Sequence, residues 1–389
     1  MIAAIKGLKN IQSRDPSGLV NDLFKPDNLG KDLAVGLLSL VNGVKSELFI
    51  PSLVKLANIT TIYKNKGSRQ DLKNDRGIFS LSFFRKVIDK MTYEDKYGDI
   101  DNFMSDSNIG ARKHMNIRNH LFVIYAIINS VVKGNFGCID IQIYDLIKAF
   151  DALWLDDCLN DVYEAVSEEN RDDKLALIYE INKENKVAVN TACPDKGEHN
   201  YMYRNQVEVL PLAMVDDLLG IANCGHDSLA LNTFINTQVE LKKLKFHQPD
   251  VNGKSKCNVM HVGSDLGICP KLEVHGTVMQ QISHDTYLGD VISADGELDL
   301  NIQSRVAKGL GLVTEITNIL EKVTLGGHYF KSAMLLRESK FLNGILTNAE
   351  TWYGMSAEHV RQLESVDKLL LRSILGTPIS TPTEALFLE

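Results

Sequence analysis

The sequence predicts an α+β chain, and three observations carry that expectation. Ile139, Ile141 and Ile143 alternate with Asp140, Gln142 and Tyr144, the period of a half-buried strand. Two apolar runs, 209–215 and 218–222, are joined only by Asp216 and Asp217, which suggests a hairpin with both carboxylates at its tip. Apolar residues at three- and four-residue spacing mark helices on either side of these strands.

Taken in order, residues 31–47 are the first predicted helix, through Leu33, Val35, Leu37, Leu38 and Val41, and Pro51 breaks the chain after it. A basic turn follows at Lys64, Asn65, Lys66, Gly67 and Ser68. The spacing of Leu121, Ile124, Ile127, Ile128 and Val131 predicts a helix over 116–132, and from Gly134 the period falls to 2. Helical patterns return after Asp151 and run to about residue 185, and 257–292 is β-rich. Beyond Leu298 three helical blocks are expected, roughly 300–322, 328–350 and 356–375. Ser356 is the N-cap of the last, Val360, Leu363, Val366, Leu370 and Ile374 share one face, and Gly376 and Pro378 stop it.

Composition narrows the function classes. No apolar run is long enough to span a bilayer, and residues 1–10 lack the pattern of a secretory signal. Six scattered cysteines without a CxxC pair are those of a reduced, intracellular protein of the cytoplasm or nucleus. Cys257, His261, Cys269 and His275 form a loose zinc-like spacing, against which stands the plainer reading of strand and loop residues. The net charge of −8 counts mildly against nucleic-acid binding. Its distribution matters more: residues 55–90 are strongly basic, while acid gathers at Asp156, Asp157 and 164–173.

The chemistry is carried by carboxylates. On strict alternation Asp145 shares the face of the three isoleucines, and Asp216 and Asp217 sit between runs too apolar to face solvent. Burying an uncompensated carboxylate costs several kcal/mol, so such groups need cations or partners. Three carboxylates at neighbouring strand ends would suit Mg²⁺. Asp216 and Asp217 are equally compatible with a solvated turn, where Asp is common.

Asp145, Leu146, Ile147, Lys148, Ala149, Phe150 and Asp151 resemble the first palm motif of non-LTR retrotransposon reverse transcriptases, a strand followed by D-x-x-K-A-F-D. Ala213, Met214, Val215, Asp216, Asp217 and Leu218 resemble their x-x-D-D hairpin. Upstream, Asn74, Asp75, Arg76, Gly77 and Ile78 resemble the N-x-R-G-I fingers motif. Ile109, Gly110, Ala111 and Arg112, with Arg118, Asn119 and His120, resemble the next. Downstream, Leu244 and Phe246 with Lys256 and Cys257 resemble the motif carrying a nucleotide-side lysine, and Tyr287, Leu288 and Gly289 the Y-L-G of the primer grip. The resemblance covers roughly residues 50–380.

It implies a right-hand polymerase fold of fingers (51–137), palm (138–297) and helical thumb (298–389) behind an N-terminal helical extension (1–50). The implied activity is RNA-directed DNA polymerisation on an RNA template with a DNA primer and dNTPs. Two Mg²⁺ ions, or Mn²⁺, would be held by Asp145 and Asp216 with Asp217 in support. Arg76 with Lys64 or Lys66 would hold the triphosphate, and Phe150 would screen out ribonucleotides. Lys256 would face the leaving pyrophosphate, although Lys254 competes for that place. For Lys64 and Lys66 a solvated loop, and for Phe150 a plain core position, are the alternatives.

One departure stands out. The family's Gln-Gly-rich segment, Ser-Pro and long helix between the metal motifs have no counterpart in 152–212. Asp145 and Asp216 are 71 positions apart, shorter than expected by roughly one helix of about 11–12 residues and its loop. The stretch from about 193 to 206 has the look of a deletion, and no endonuclease or RNase H region is recognisable. A non-catalytic remnant that binds RNA or an RNA–DNA duplex is therefore the alternative.

Overall fold

The structure is a computed structural model. It describes residues 4–5, 8, 15–16, 18–24, 31–47, 49–52, 54–64, 67–71, 74–104, 110, 112–134, 137–147, 155–166, 168–171, 176, 178, 186–190, 217–249, 255–263, 271–322 and 329–387. In chain order its strands are β1 (Leu56–Tyr63), β2 (Asp75–Leu81), β3 (Ile139–Asp145), β4 (Lys186–Asn190), β5 (Asp217–Asn223), β6 (Asn258–Val262), β7 (Glu273–Val274), β8 (Thr277–Val278), β9 (Gln280–Ile282), β10 (His284–Tyr287) and β11 (Asp290–Ser293). The helices used below are α1 (Lys31–Glu47), α2 (Phe83–Phe103), α3 (Ile117–Val132), α4 (Leu155–Ala165), α5 (His226–Leu241), α6 (Asp299–Lys322), α7 (Tyr329–Leu336) and α8 (Ala357–Leu375). The chain is α+β, as its sequence predicts, and it forms two compact units: Met1–Asn108 with Phe150–Ala213, and Ile109–Ala149 with Met214–Glu389.

In the first unit β1 pairs antiparallel with β2, from Ala57↔Leu81 to Tyr63↔Asp75, and parallel with β4, from Leu56↔Lys186 to Thr60↔Asn190. Between β1 and β2 the Lys64 N–H donates to the Asn74 carbonyl (2.8 Å) and Asn74 Nδ2 to the Ser68 carbonyl (2.8 Å); Asn65 and Lys66 of the basic stretch lie outside the described residues. Leu37, Val41 and Val44 of α1 are buried in one cluster with Phe83, Val87 and Ile88 of α2. Ser82 caps α2 by accepting from the Arg85 N–H (3.2 Å), satisfying a donor the helix cannot. β4 lies just past the stretch read as helical, and the sequence pattern did not mark it.

The second unit is built on a four-stranded sheet ordered β5-β3-β6-β9, with β3 antiparallel to both neighbours. One face carries Ile139, Ile141, Ile143, Met260 and Val262, buried together with Leu121, Ile124, Tyr125, Ile128 and Val131 of α3. Fully burying one such side chain stabilises by roughly 1.5–3 kcal/mol. The other face meets α5, where Leu231 comes so close that a Cβ on Gly220 of β5 would lie 2.8 Å from its Cδ2.

That second face corrects the expectation of a half-buried strand. Asp140, Gln142 and Tyr144 are buried as completely as the isoleucines. Period 2 marks a change of chemistry between faces here, not a change of burial. Gln142 Nε2 donates to the Ser228 carbonyl (2.7 Å) and hydroxyl (2.8 Å). The Tyr144 hydroxyl donates to Gln142 Oε1 (2.5 Å) and accepts from Asn232 Nδ2 (2.9 Å). A buried polar group with its hydrogen bonds made is tolerated; one without them costs about 1–3 kcal/mol.

The three expected C-terminal helical blocks are present. α6 packs against α8 through Val313, Ile316, Leu320, Val366, Leu370 and Ile374. The middle block is α7 continued by six residues of π-helix, Arg337–Leu342. Ser356 caps α8 by accepting from the His359 N–H, and Gly376 ends it at φ 63° in the left-handed region.

Candidate active site

Asp145 is the last residue of β3, and its Cα partner across the β5 ladder is Asp217, the first residue of β5. Two carboxylate-bearing residues far apart in sequence thus occupy one rung. β5 begins at Asp217, one residue before the expected second run, and its described partner is β3. The run 209–215 and Asp216 lie outside the described residues, so that hairpin has no described counterpart.

A second segment closes over the end of β3. Leu146 bridges Phe246, the Ile147 N–H donates to the Lys245 carbonyl (2.8 Å), and the His247 N–H donates to the Asp145 carbonyl (2.9 Å). The Asp145 side chain, 24% exposed, is met by Lys256 Nζ at 2.6 Å and by His247 Nε2 at 3.9 Å. The partly exposed ion pair orients the carboxylate more than it stabilises the fold, since such pairs are worth about 0–1 kcal/mol. Burial holds the His247 pKa below its ordinary value; the Lys256 charge adds to this and Asp145 opposes it. His247 escaped the sequence reading, although it directly follows the Leu244 and Phe246 motif.

Behind Asp145 the Gln142–Tyr144–Asn232 network fixes β3 against α5, and burial pushes the Tyr144 hydroxyl pKa up to about 12. The strand end that presents Asp145 is therefore held from both faces. Hydrogen-bonded networks of this kind preserve geometry at the end of the element they lock.

The other expected site residues fall as follows. Arg76 is exposed on β2 opposite Ile62, and Lys64 directly follows β1, both in the first unit. Lys66, Phe150 and Lys254 lie outside the described residues. Tyr287, Leu288 and Gly289 make the tight turn of the β10–β11 hairpin, with Leu288 at φ 49° and Gly289 at φ 90°. Two-residue hairpins demand positive φ at their centre, which glycine meets freely and leucine at a cost of roughly 1–2 kcal/mol. Tyr287 is buried, its hydroxyl 3.4 Å from His120 Nδ1.

One residue past the turn sits a group the motifs did not mark. Asp290 is fully buried and ion-paired to the buried Arg305 of α6. It also accepts from Trp352 Nε1 (2.9 Å), the Tyr125 hydroxyl (3.2 Å) and Asn348 Nδ2 (3.3 Å). A charged Asp beside a Y-L-G turn resembles any loop residue in sequence, and only the fold brings its four partners to it.

At the end of β3 Asp145 offers a partly exposed carboxylate, and the positive charge it attracts is supplied by the Lys256 ammonium. Of the looser zinc spacing, Cys269 lies outside the described residues, and the other three are not brought together. Cys257 Sγ lies by the Asp145 and His247 carbonyls, whereas His261 is four residues further along β6 and His275 packs on the Phe246 ring. No helix among the described residues is long and apolar enough to cross a membrane. Compared with protein-family models and with the sequences of curated proteins, the chain finds no match.

Proposed function

We propose that the chain is the core of an RNA-directed DNA polymerase, extending a DNA primer on an RNA template with dNTPs. The observation that supports this most is the rung of Asp145 and Asp217, which joins the two carboxylate motifs at the end of one antiparallel ladder. Asp145, Asp216 and Asp217 would hold two Mg²⁺ ions. When bound, such ions stabilise the attacking and leaving oxygens of a phosphoryl transfer. Lys256 orients the Asp145 carboxylate and offers positive charge beside it, suited to a polyphosphate leaving group. The motif resemblance assigns Arg76 with Lys64 or Lys66 to the triphosphate, Phe150 to the screen against a 2′-hydroxyl, and the 287–289 turn to the primer strand. The polymerase fold with fingers, palm and thumb belongs to the same reading.

A second reading has one specific support: the absence of the Gly-rich segment and long helix between the metal motifs. Phosphoryl transfer depends chiefly on positioning, so a palm without that segment would retain nucleic-acid binding and lose turnover.

Primer extension on poly-rA with oligo-dT, dTTP and Mg²⁺ separates the two. Extension by the full chain that falls at least 100-fold in Asp145→Asn supports the polymerase. Extension that survives the substitution removes Asp145 from the site. No extension by folded protein, together with retained duplex binding, establishes the remnant.

A further inference from the structure

The geometry points to a metal site, for a borderline-soft divalent cation of the zinc type, built from Cys138, Cys224 and His261, with the Asp140 carboxylate beside it. It lies at the end of the β5-β3-β6 sheet away from Asp145 and is independent of the polymerase reading.

The sheet register assembles it. The β3–β5 ladder ends at Ile139↔Asn223, so Cys138 and Cys224 emerge side by side, and the Cys224 N–H donates to the Cys138 carbonyl (3.2 Å). β6 pairs His261 opposite Asp140. The Cys138 and Cys224 sulfurs and one His261 nitrogen all lie within 4.8 Å of one another.

The separations within the cluster suit a common centre. His261 Nδ1 is 3.4 Å from Cys224 Sγ and 3.0 Å from Asp140 Oδ1, and Cys224 Sγ is 3.6 Å from Asp140 Oδ1. For tetrahedral zinc with bonds of about 2.3 Å to sulfur and 2.0–2.1 Å to nitrogen, the sulfur–nitrogen edge is about 3.5–3.6 Å and the sulfur–sulfur edge about 3.8 Å. The Cys224–His261 edge therefore needs a shift of no more than a few tenths of an ångström, and Asp140 sits at hydrogen-bond distance from the imidazole.

Charge argues the same way. Asp140 is fully buried and His261 nearly so. Two thiols and an imidazole form a soft-to-borderline donor set, unlike the all-oxygen set expected at Asp145. Two thiolates and a neutral imidazole carry −2 formally, which a divalent cation would offset, with the Asp140 carboxylate beside them.

The full chain, purified under reductant without chelator, is analysed for metal and titrated with Co²⁺. The expected result is one zinc per chain, replaceable by Co²⁺ with visible absorption of a tetrahedral ion and a thiolate-to-cobalt charge-transfer band. That band falls by about half in Cys138→Ser or Cys224→Ser and is unchanged in Cys257→Ser. Reduced, folded wild-type protein with neither zinc nor the cobalt bands overturns the proposal, and that measurement needs no variant to fold. Bands that persist in a folded Cys138→Ser/Cys224→Ser double variant overturn it equally.

Discussion

Asp290→Ala tests how much of the second unit hangs on one buried anion. Removing the carboxylate leaves Arg305, itself 3% exposed, without its partner. Breaking a buried pair by deleting one member costs about 3–5 kcal/mol, because the survivor remains charged and desolvated. Trp352 Nε1, the Tyr125 hydroxyl and Asn348 Nδ2 lose an acceptor too, at about 1–3 kcal/mol for each that no water reaches. These losses are not additive, but the pair alone is a large share of a domain stability of about 5–15 kcal/mol. The expected loss is at least 3 kcal/mol, read by urea denaturation. Trp352 fluorescence follows this unit directly once the only other tryptophan is removed as Trp154→Phe. Replacing the pair together, Asp290→Leu with Arg305→Met, should recover a substantial part, since it leaves no unpaired charge. A loss below about 1 kcal/mol in Asp290→Ala would refute the reasoning, and so would a double variant no more stable than the single one.

Three further outcomes follow from local geometry. In α6 a Cβ on Gly309 would meet Val366 Cγ1 at 2.9 Å and Ile345 Cγ2 at 3.2 Å, whereas one on Gly311 meets nothing within 4 Å. Gly311→Ala should therefore stabilise by about 0.5–1 kcal/mol, and Gly309→Ala destabilise by about 1–3 less that propensity gain; equal melting temperatures would contradict this. Gly289→Ala, at φ 90°, should cost about 1–2 kcal/mol in the same denaturation assay, and a neutral result would mean the turn rebuilds. His247 has a folded pKa below its unfolded value near 6.5, so the unfolded chain binds more protons. Stability should thus fall as pH drops below about 6.5, down to the folded value, and His247→Gln should flatten that slope; an unchanged slope assigns it to other groups.

What the sequence reveals and what it hides divide along physical lines. The helices at 31–47, 116–132 and 356–375 and the strand at 139–145 were legible because each has one apolar face whose period identifies the element. The Ser356 cap and Gly376 stop were equally plain, because capping is local chemistry. The burial of Asp140, Gln142 and Tyr144 was not, because polar side chains signal solvent unless their partners are known. Ser228, Asn232 and His261 lie 86–121 positions away from those they bond. The pairing of Lys256 with Asp145, 111 positions apart, is of the same kind. Motif order suggested their neighbourhood, and only the antiparallel ladder put them at hydrogen-bond distance. Asp216, Lys66 and Phe150 fall outside the described residues, so their expected roles rest on the motifs alone.

The polar underside of β3 has a consequence for how the chain finds its register. A strand that is isoleucine on one face and apolar on the other would pair almost equally well after slipping along its neighbours. Here a slip by one residue would turn Gln142 and Tyr144 toward α3 and bring isoleucines against Ser228 and Asn232. Several hydrogen-bonding groups would be stranded at once, each at about 1–3 kcal/mol. The network gives little net stability in the correct alignment, yet it makes neighbouring alignments untenable. The molecule thereby gains a single admissible pairing of the strand that ends in Asp145, and so a single place for that carboxylate.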